Sequence, residues 1–275
     1  MLALAAFGIM LGLAYRQRSD PARCPPGSSQ LGPRCCGEGQ QLERLRCVGT
    51  PSRCPSGMKL LSGPRPGCVP ETERVSLRGG TLLLAPSDWE AQGVIEARQV
   101  RVRPFALDST EVTYARWERC ARAGLCRALS WQEPGLPVTG VNPSEAAALC
   151  RFEGGRLPSG DEWLFAAAGV EQRRFPWGQT GLVCRRAVFG TVRGPCAHGA
   201  RGPEIAGLRP DGATPEGLVD LAGNVAEWTV EPGGTQAVRG GSYLARLAAE
   251  LKSWAAQPDR GPAADIGFRC AYGAR

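Results

Sequence analysis

Apolar and polar positions in this 275-residue chain recur in short stretches, most clearly from residue 75 onward. Val75 to Leu84 reads as a strand, a Gly79-Gly80 turn and a second strand, so a hairpin is predicted there. Val100 to Leu107 alternates apolar and charged residues with the period of a half-buried strand. Between Thr110 and Ala123 the period lengthens. Val112, Ala115, Trp117 and Ala121 recur at three- and four-residue steps behind Ser109 or Thr110 as a cap, which predicts an amphipathic helix. A second helix is predicted over Asn142 to Phe152, because Pro143 fits the first turn behind an Asn N-cap and Glu145 complements the helix dipole. Long Gly- and Pro-rich stretches with short strands follow. The expected fold class is α+β and irregular, with few helices, short strands and long loops.

The N-terminus differs in pattern. Leu2 to Tyr15 is an almost unbroken apolar run followed by Arg16-Gln17-Arg18, so residues 1–18 read as a membrane anchor or the remnant of a signal. The run is shorter than the roughly 20 residues of a spanning helix, and no positive region precedes it as in a signal peptide. Charges placed after the run favour a cytoplasmic remainder. The cysteines described next argue for the opposite side and carry more weight, which makes the run the tail of a longer membrane segment or signal. Residues 19–74 are dense in Pro, Gly, Arg and Cys and short of apolar runs; they are expected to form a small disulfide module or spacer.

Charge narrows the function classes. Lys and Arg total 33 against 26 Asp and Glu, a net charge of +7 carried almost wholly by scattered Arg. With no basic block and no basic helix interleaved with aromatics, a nucleic-acid partner is not expected. The 12 cysteines divide into Cys24, Cys35, Cys36, Cys47, Cys54 and Cys68, then Cys120, Cys126, Cys150, Cys184, Cys196 and Cys270. None is spaced C-x-x-C and His198 is the only histidine, so disulfides in an oxidising, extracytoplasmic compartment are expected instead of a zinc site. Cys120 with Cys126 and Cys184 with Cys196 are paired by proximity. Nucleophile-elbow and phosphate-loop motifs are missing. Asp161 and Glu162 are adjacent, so on a helix they diverge and do not act as an acid–base pair.

Seven segments in order then carry a resemblance: EVTYARW from Glu111, PVTGVNPSEAAALC from Pro137, GGRLPSGDEWLFAAAG from Gly154, FPWG from Phe175, GLVDLAGNVAEW from Gly217, VRGGSY from Val238 and IGFRC from Ile266. Residues 75–275 resemble the formylglycine-generating enzyme, or sulfatase-modifying factor, domain. The resemblance implies a variant of the C-type lectin fold and a disulfide between Cys150 and Cys270. It implies one calcium site at Asn224, the Val225 carbonyl and Glu227, the alternative being capping and core roles for this segment. A second calcium site is not expected, because Val188 stands where the family has an Asn. The resemblance also places Arg239, Gly241 and Ser242, with Trp228, at the family's substrate groove. The glycines there act through backbone freedom, and Arg239 is expected to meet a carboxylate. Trp163 and Trp177 read as core or groove aromatics.

Catalytic members of that family hold copper(I) with two cysteines shortly after RGGSY. This chain has Ala245 and Glu250 in that region, and neither a methyl group nor a carboxylate suits a soft metal. Copper is therefore not expected. One histidine is too few for the iron-dependent relatives of the domain. The expected function is a non-catalytic recognition or scaffold module, exported and membrane-tethered, binding a protein, peptide or glycan of the cell envelope. The alternatives are an oxidase that converts a substrate cysteine to formylglycine and the extracytoplasmic sensor part of a larger membrane protein.

Overall fold

The computed structural model describes residues 28–31, 34–43, 46–54, 58–62, 66–71, 73–84, 97–130 and 132–274. The apolar run Leu2 to Tyr15 and Cys24 lie outside the described residues. Among the described residues no helix is long and apolar enough to cross a membrane.

Three small antiparallel hairpins come first: β1 (Ser28–Leu31) with β2 (Arg34–Gly37), β3 (Gln41–Glu43) with β4 (Arg46–Val48), and β5 (Met58–Leu61) with β6 (Gly67–Pro70). Strands this short bury little on their own, and disulfides Cys36–Cys47 and Cys54–Cys68 staple them. The last hairpin packs on the loop before Leu136. A Cβ on Gly135 would lie 2.4 Å from the Cys68 carbonyl, so this contact admits only glycine.

The predicted hairpin at 75–84 does not form as such. β7 (Arg74–Leu77) pairs with β10 (Phe105–Asp108), whereas β8 (Gly80–Leu84) pairs with β9 (Arg98–Val102). Gly79 and Gly80 have φ of +67° and +152°, but they do not form the expected turn: Gly80 already belongs to β8, and a Cβ on Gly79 would sit 2.4 Å from the Val102 carbonyl. Gly79 passes close over the end of β9, and the strands on either side of it join different sheets. The single strand expected over Val100 to Leu107 is likewise split between β9 and β10 at Arg103-Pro104, where Pro104 supplies no N–H.

The first helix, α1 (Tyr114–Arg122), starts later than the periodicity indicates, with Thr113 as its N-cap in place of Ser109 or Thr110. Val112 is committed elsewhere: its N–H donates to the Phe268 carbonyl and its own carbonyl accepts from Val138. These tertiary bonds hold residues before Tyr114 extended. Helix α2 (Pro143–Phe152) matches its expectation, capped by Asn142 in a full capping box with Glu145. Helix α3 (Gly160–Ala168) opens on a second capping box, Ser159 with Glu162.

The remaining strands are β11 (Ala226–Val230), β12 (Gln236–Arg239), β13 (Ala256–Pro258), β14 (Ile266–Gly267) and β15 (Ala271–Gly273). They complete a four-stranded sheet ordered β13-β12-β11-β14 and a three-stranded sheet ordered β15-β10-β7. Among the described residues no sheet closes on itself, and the fold is an irregular α+β one. One core joins α1, α2 and β11 through Trp117, Leu149, Trp228 and Phe268; another joins α3 to β8 and β10 through Trp163, Leu82 and Leu107. Disulfides Cys120–Cys126, Cys150–Cys270 and Cys184–Cys196 all form as expected, and among the described residues no cysteine is free.

Candidate functional site

The segment Asn224 to Trp228 runs through the centre of the domain. Asn224 takes φ of +56°, which an Asn side chain tolerates better than most, and it is fully buried. Its Oδ1 accepts from the Glu204 N–H at 2.9 Å and its Nδ2 donates to Glu111 at 3.1 Å. Glu227 is buried against Arg269, whose Nε and Nη2 donate to both carboxylate oxygens at 2.7–3.0 Å, while Trp163 Nε1 donates to Oε2 at 2.8 Å. The remaining guanidinium hydrogens reach the carbonyls of Asp108, Ser109 and Val219. Arg269 is thus a buried cation with its fork satisfied, the geometry in which an Arg–carboxylate pair is strongest.

The structure therefore brings Asn224, Val225 and Glu227 together, but with the Glu227 oxygens already held by Arg269 and Trp163. A calcium ion on these three residues requires the guanidinium to give way. Val188, which stands where the family has an Asn, is buried and offers its carbonyl to the Asn224 N–H.

Two acids near this pair escaped the sequence reading. Glu111 is fully buried, and its Oε2 has no partner among the described residues. Burial, then the charge of Asp220, pushes its pKa well above the usual carboxylate range against the pull of Arg269. Asp220 accepts from the Gly207 N–H at 2.6 Å. Burial raises its pKa to about 6, against the Gly207 bond and Arg269. Polar letters inside otherwise apolar motifs, Glu111 in EVTYARW, Asp220 in GLVDLAGNVAEW and Arg269 in IGFRC, were the available signal. A second buried group has the same construction: Arg116 donates to Asp108 at 2.8 Å and pairs with Glu153, and Tyr272 donates to Asp108 at 3.2 Å.

The groove candidates are placed as follows. Trp228 is core, donating to the Val141 carbonyl at 3.0 Å. Arg239 is buried and paired with Glu231 at 3.0 Å. A Cβ on Gly241 would meet the Glu250 carbonyl at 2.6 Å, so its role is close backbone approach. Ser242 donates to Asp265 at 2.8 Å, and Arg260 closes the same carboxylate at 2.7 Å. Ala245 is buried in an apolar cluster with Phe175, Phe189, Ala222 and Leu251, beside the Cys184–Cys196 disulfide. Glu250 accepts from the N–H groups of Arg246 and Leu247 and so caps the short 3-10 turn Ala248–Leu251. Of the aromatics, Trp163 is core and Trp177 stacks on Phe175 at 5.1 Å. His198 lies against the Cys196 carbonyl, 3.7 Å from Glu204. Asp161 and Glu162 diverge, to Arg98 and Arg156 respectively.

The surface next to Ser242 opens into a cleft of about 600 Å³ whose lining includes Tyr243, Arg127, Arg201, Gln132 and Thr139. Its walls come from the described residues within 127–130 and 132–140 and from residues 201–203. The stretch 132–140 is fixed from behind, since Tyr114 and Ala115 donate to the carbonyls of Leu136 and Pro134, and Ala206 donates to Gly135. Burial, then the charge of Asp265, raises the pKa of Tyr243, keeping it a neutral hydroxyl.

With this geometry in hand, similarity to known proteins adds a frame. Residues 62–274 match the family described as Sulfatase-modifying factor enzyme 1-like domain. The chain is 28% identical over 285 residues, covering 78% of this chain and 91% of the relative, to Inactive C-alpha-formylglycine-generating enzyme 2 of Mus musculus. It is 27% identical to the Formylglycine-generating enzyme of Streptomyces coelicolor, covering 76% of this chain and 92% of that protein. Among solved structures, Treponema denticola variable protein 1 superposes with a TM-score of 0.59 at 18% identity, over 78% of this chain and 99% of that one. That last likeness concerns the fold alone. The family match begins at residue 62 and so takes in β6 and Cys68 ahead of residue 75.

Proposed function

The chain belongs to the Sulfatase-modifying factor enzyme 1-like domain family, and from that premise we propose that it is a non-catalytic recognition module, exported and tethered by its N-terminal segment. The observation that carries the proposal is the use made of the two positions at which the family's thiolates are expected. Ala245 is a core methyl group and Glu250 is spent on backbone N–H groups. A soft cation such as copper(I) finds no ligand in either. Similarity to an inactive member of the family over most of both chains supports the same reading. Five disulfides among the described residues support export to an oxidising compartment. The recognition face is the cleft beside Tyr243, where fixed walls meet exposed polar side chains.

Counting free thiols by alkylation and intact mass, on denatured but unreduced protein folded under oxidising conditions, tests this reading. All 12 cysteines are expected to be unavailable to the reagent. Two alkylated thiols mapping near Ser242 would instead favour a thiolate oxidase.

Calcium at Asn224, Val225 and Glu227 belongs to the proposal under one condition: it must compete with Arg269. Calcium titrated to about 1 mM, the range of extracellular calcium modules, raises the melting temperature only where the ion binds the folded state. A rise that Glu227→Gln removes supports the site. An unchanged melting temperature means that the ion pair alone serves this segment.

A further inference from the structure

The segment 185–203 is built in two parts that are held very differently. In the first, Ala187, Val188 and Phe189 are buried, and the Val188 carbonyl accepts from the Asn224 N–H at 2.8 Å. Gly212 and Gly223 leave room for the carbonyls of Arg186 and Val188, which a Cβ would approach to 1.9 and 2.4 Å. That part ends at Thr191, whose N–H donates to the Tyr243 carbonyl at 3.2 Å. Beyond it, from Val192 to Pro203, only Cys196 and Ala200 are buried. Among the described residues the hydrogen bonds from Val192 to Gly202 are local ones: His198 N–H to the Thr191 carbonyl at 3.4 Å, Ala197 N–H to the Gly194 carbonyl at 3.1 Å, and the His198 ring against the Cys196 carbonyl. The chain is anchored again at Glu204, whose N–H donates to Asn224. In between, the disulfide Cys184–Cys196 is the covalent tie, and residues 201–203 at the end of this stretch form one wall of the cleft beside Tyr243.

A thiolate attacks the disulfide whose sulfur it can reach. Cys150 and Cys270 are both fully buried, and Cys36 and Cys47 nearly so, whereas Cys54, Cys126 and Cys184 are each partly exposed. Charge separates these three. Cys126 precedes Arg127, which is paired with Glu145, and Cys54 has a single neighbouring Arg53. Cys184 is followed by Arg185 and Arg186, with Arg193 inside the loop that the disulfide closes. The partner of Arg185, Asp211, is itself exposed at 3.3 Å, so water screens that pair. A cationic setting stabilises a thiolate and makes the sulfur a better leaving group. We propose that Cys184–Cys196 is a redox-sensitive catch, opened by a dithiol reductant, that releases residues 192–203 from the cleft. One thiolate of the reductant attacks Cys184 Sγ and Cys196 leaves as a thiolate. The second thiol of the reductant then attacks its own sulfur in the mixed disulfide and expels Cys184. The reductant ends as a cyclic disulfide, and its two protons pass to the two cysteines. Only the description of the cleft as a recognition face rests on the function proposed above; the catch does not.

The test uses the full chain, folded under oxidising conditions and then exposed to rising concentrations of dithiothreitol, with alkylation and peptide mass mapping at each step. Cys184 and Cys196 are expected to be labelled before the other four pairs described. Hydrogen exchange of the double variant Cys184→Ser, Cys196→Ser, which needs no reductant, is expected to quicken over residues 192–203 and to stay unchanged in α2. The gain is up to about a hundredfold, the entropy that a closed loop of this length regains when it opens. Should the double variant fail to fold, exchange of the parent protein at the dithiothreitol concentration that opens the first pair reads the same quantity. Earlier labelling of any other described pair overturns the proposal, and so does exchange over 192–203 that is the same with the disulfide open and closed. Failure of the function proposed above has its own signature, because a thiolate oxidase would show alkylatable thiols near Ser242 before any reductant is added.

Discussion

At the scale of residues, the domain is organised around buried charge. Arg269 carries its positive charge at full burial because Glu227 and three carbonyls surround it, and removing either ionic partner would strand the other in a medium of low polarity. Asp220 sits in the same field and is held partly as the acid, with its pKa raised to about 6. In an unfolded chain an Asp titrates near 4. Between those values the native state keeps a proton that the unfolded state has lost, so this contribution to stability is full below about pH 4 and disappears as pH rises through about 6. Glu111 is shifted in the same direction and adds to the slope. Asp220→Asn tolerates the φ of +60° and can still accept from Gly207, but does not titrate. Melting temperature measured between pH 4 and 7 is expected to fall less in this variant than in the parent; an unaltered slope would show that Asp220 is not the group responsible. Sequence conveyed little of this. Motif order identified the segments, but a polar letter within an apolar string does not reveal whether it meets an ion, a guanidinium or nothing. Glu227 illustrates the point, since the residue expected at a calcium site is in contact with Arg269, 42 positions away.

At the scale of elements, what was legible depended on how local the cause was. Helix α2 could be read because its N-cap, its first-turn Pro and its capping-box Glu lie within four consecutive residues. The start of α1 could not, because the Val112 bonds that delay it come from Phe268 and Val138. The strands on either side of Gly79-Gly80 were visible, but no turn forms between them, because each finds a partner that only tertiary packing assigns. Disulfides fall on both sides of this line. Cys120–Cys126 and Cys184–Cys196 followed from proximity, while Cys150–Cys270, spanning 120 residues, followed only from family resemblance. Loop closure gives the long link the larger effect, on the order of 5 kcal/mol against about 2 for the six-residue link. The paired serine variant at 150 and 270 is therefore expected to lose roughly twice the stability lost by the pair at 120 and 126 in urea unfolding. Equal losses would indicate that strain or residual structure, not loop length, sets the values.

At the scale of the whole molecule, a small stapled module, an irregular α+β domain and a cleft next to Ser242 form one arrangement. Cys68 links them: its side chain closes the module's second disulfide and its backbone packs on Gly135, in the loop that continues as the cleft wall. Family membership sets the fold, and the proposed departure from the family's copper chemistry is supported by Ala245 as a core methyl group and Glu250 as a cap on backbone N–H groups. The cleft itself was not legible, since Arg127, Arg201 and Tyr243 meet there from three loops that no single motif joins. The most direct measurement of the central claim is incubation of the oxidatively folded protein, at high loading with copper(I) and oxygen, with a cysteine-containing sulfatase-type peptide, followed by mass spectrometry. The peptide cysteine is expected to emerge without conversion to the aldehyde. Formylglycine forming in proportion to protein concentration would contradict the account and establish an oxidase with ligands other than those the family uses.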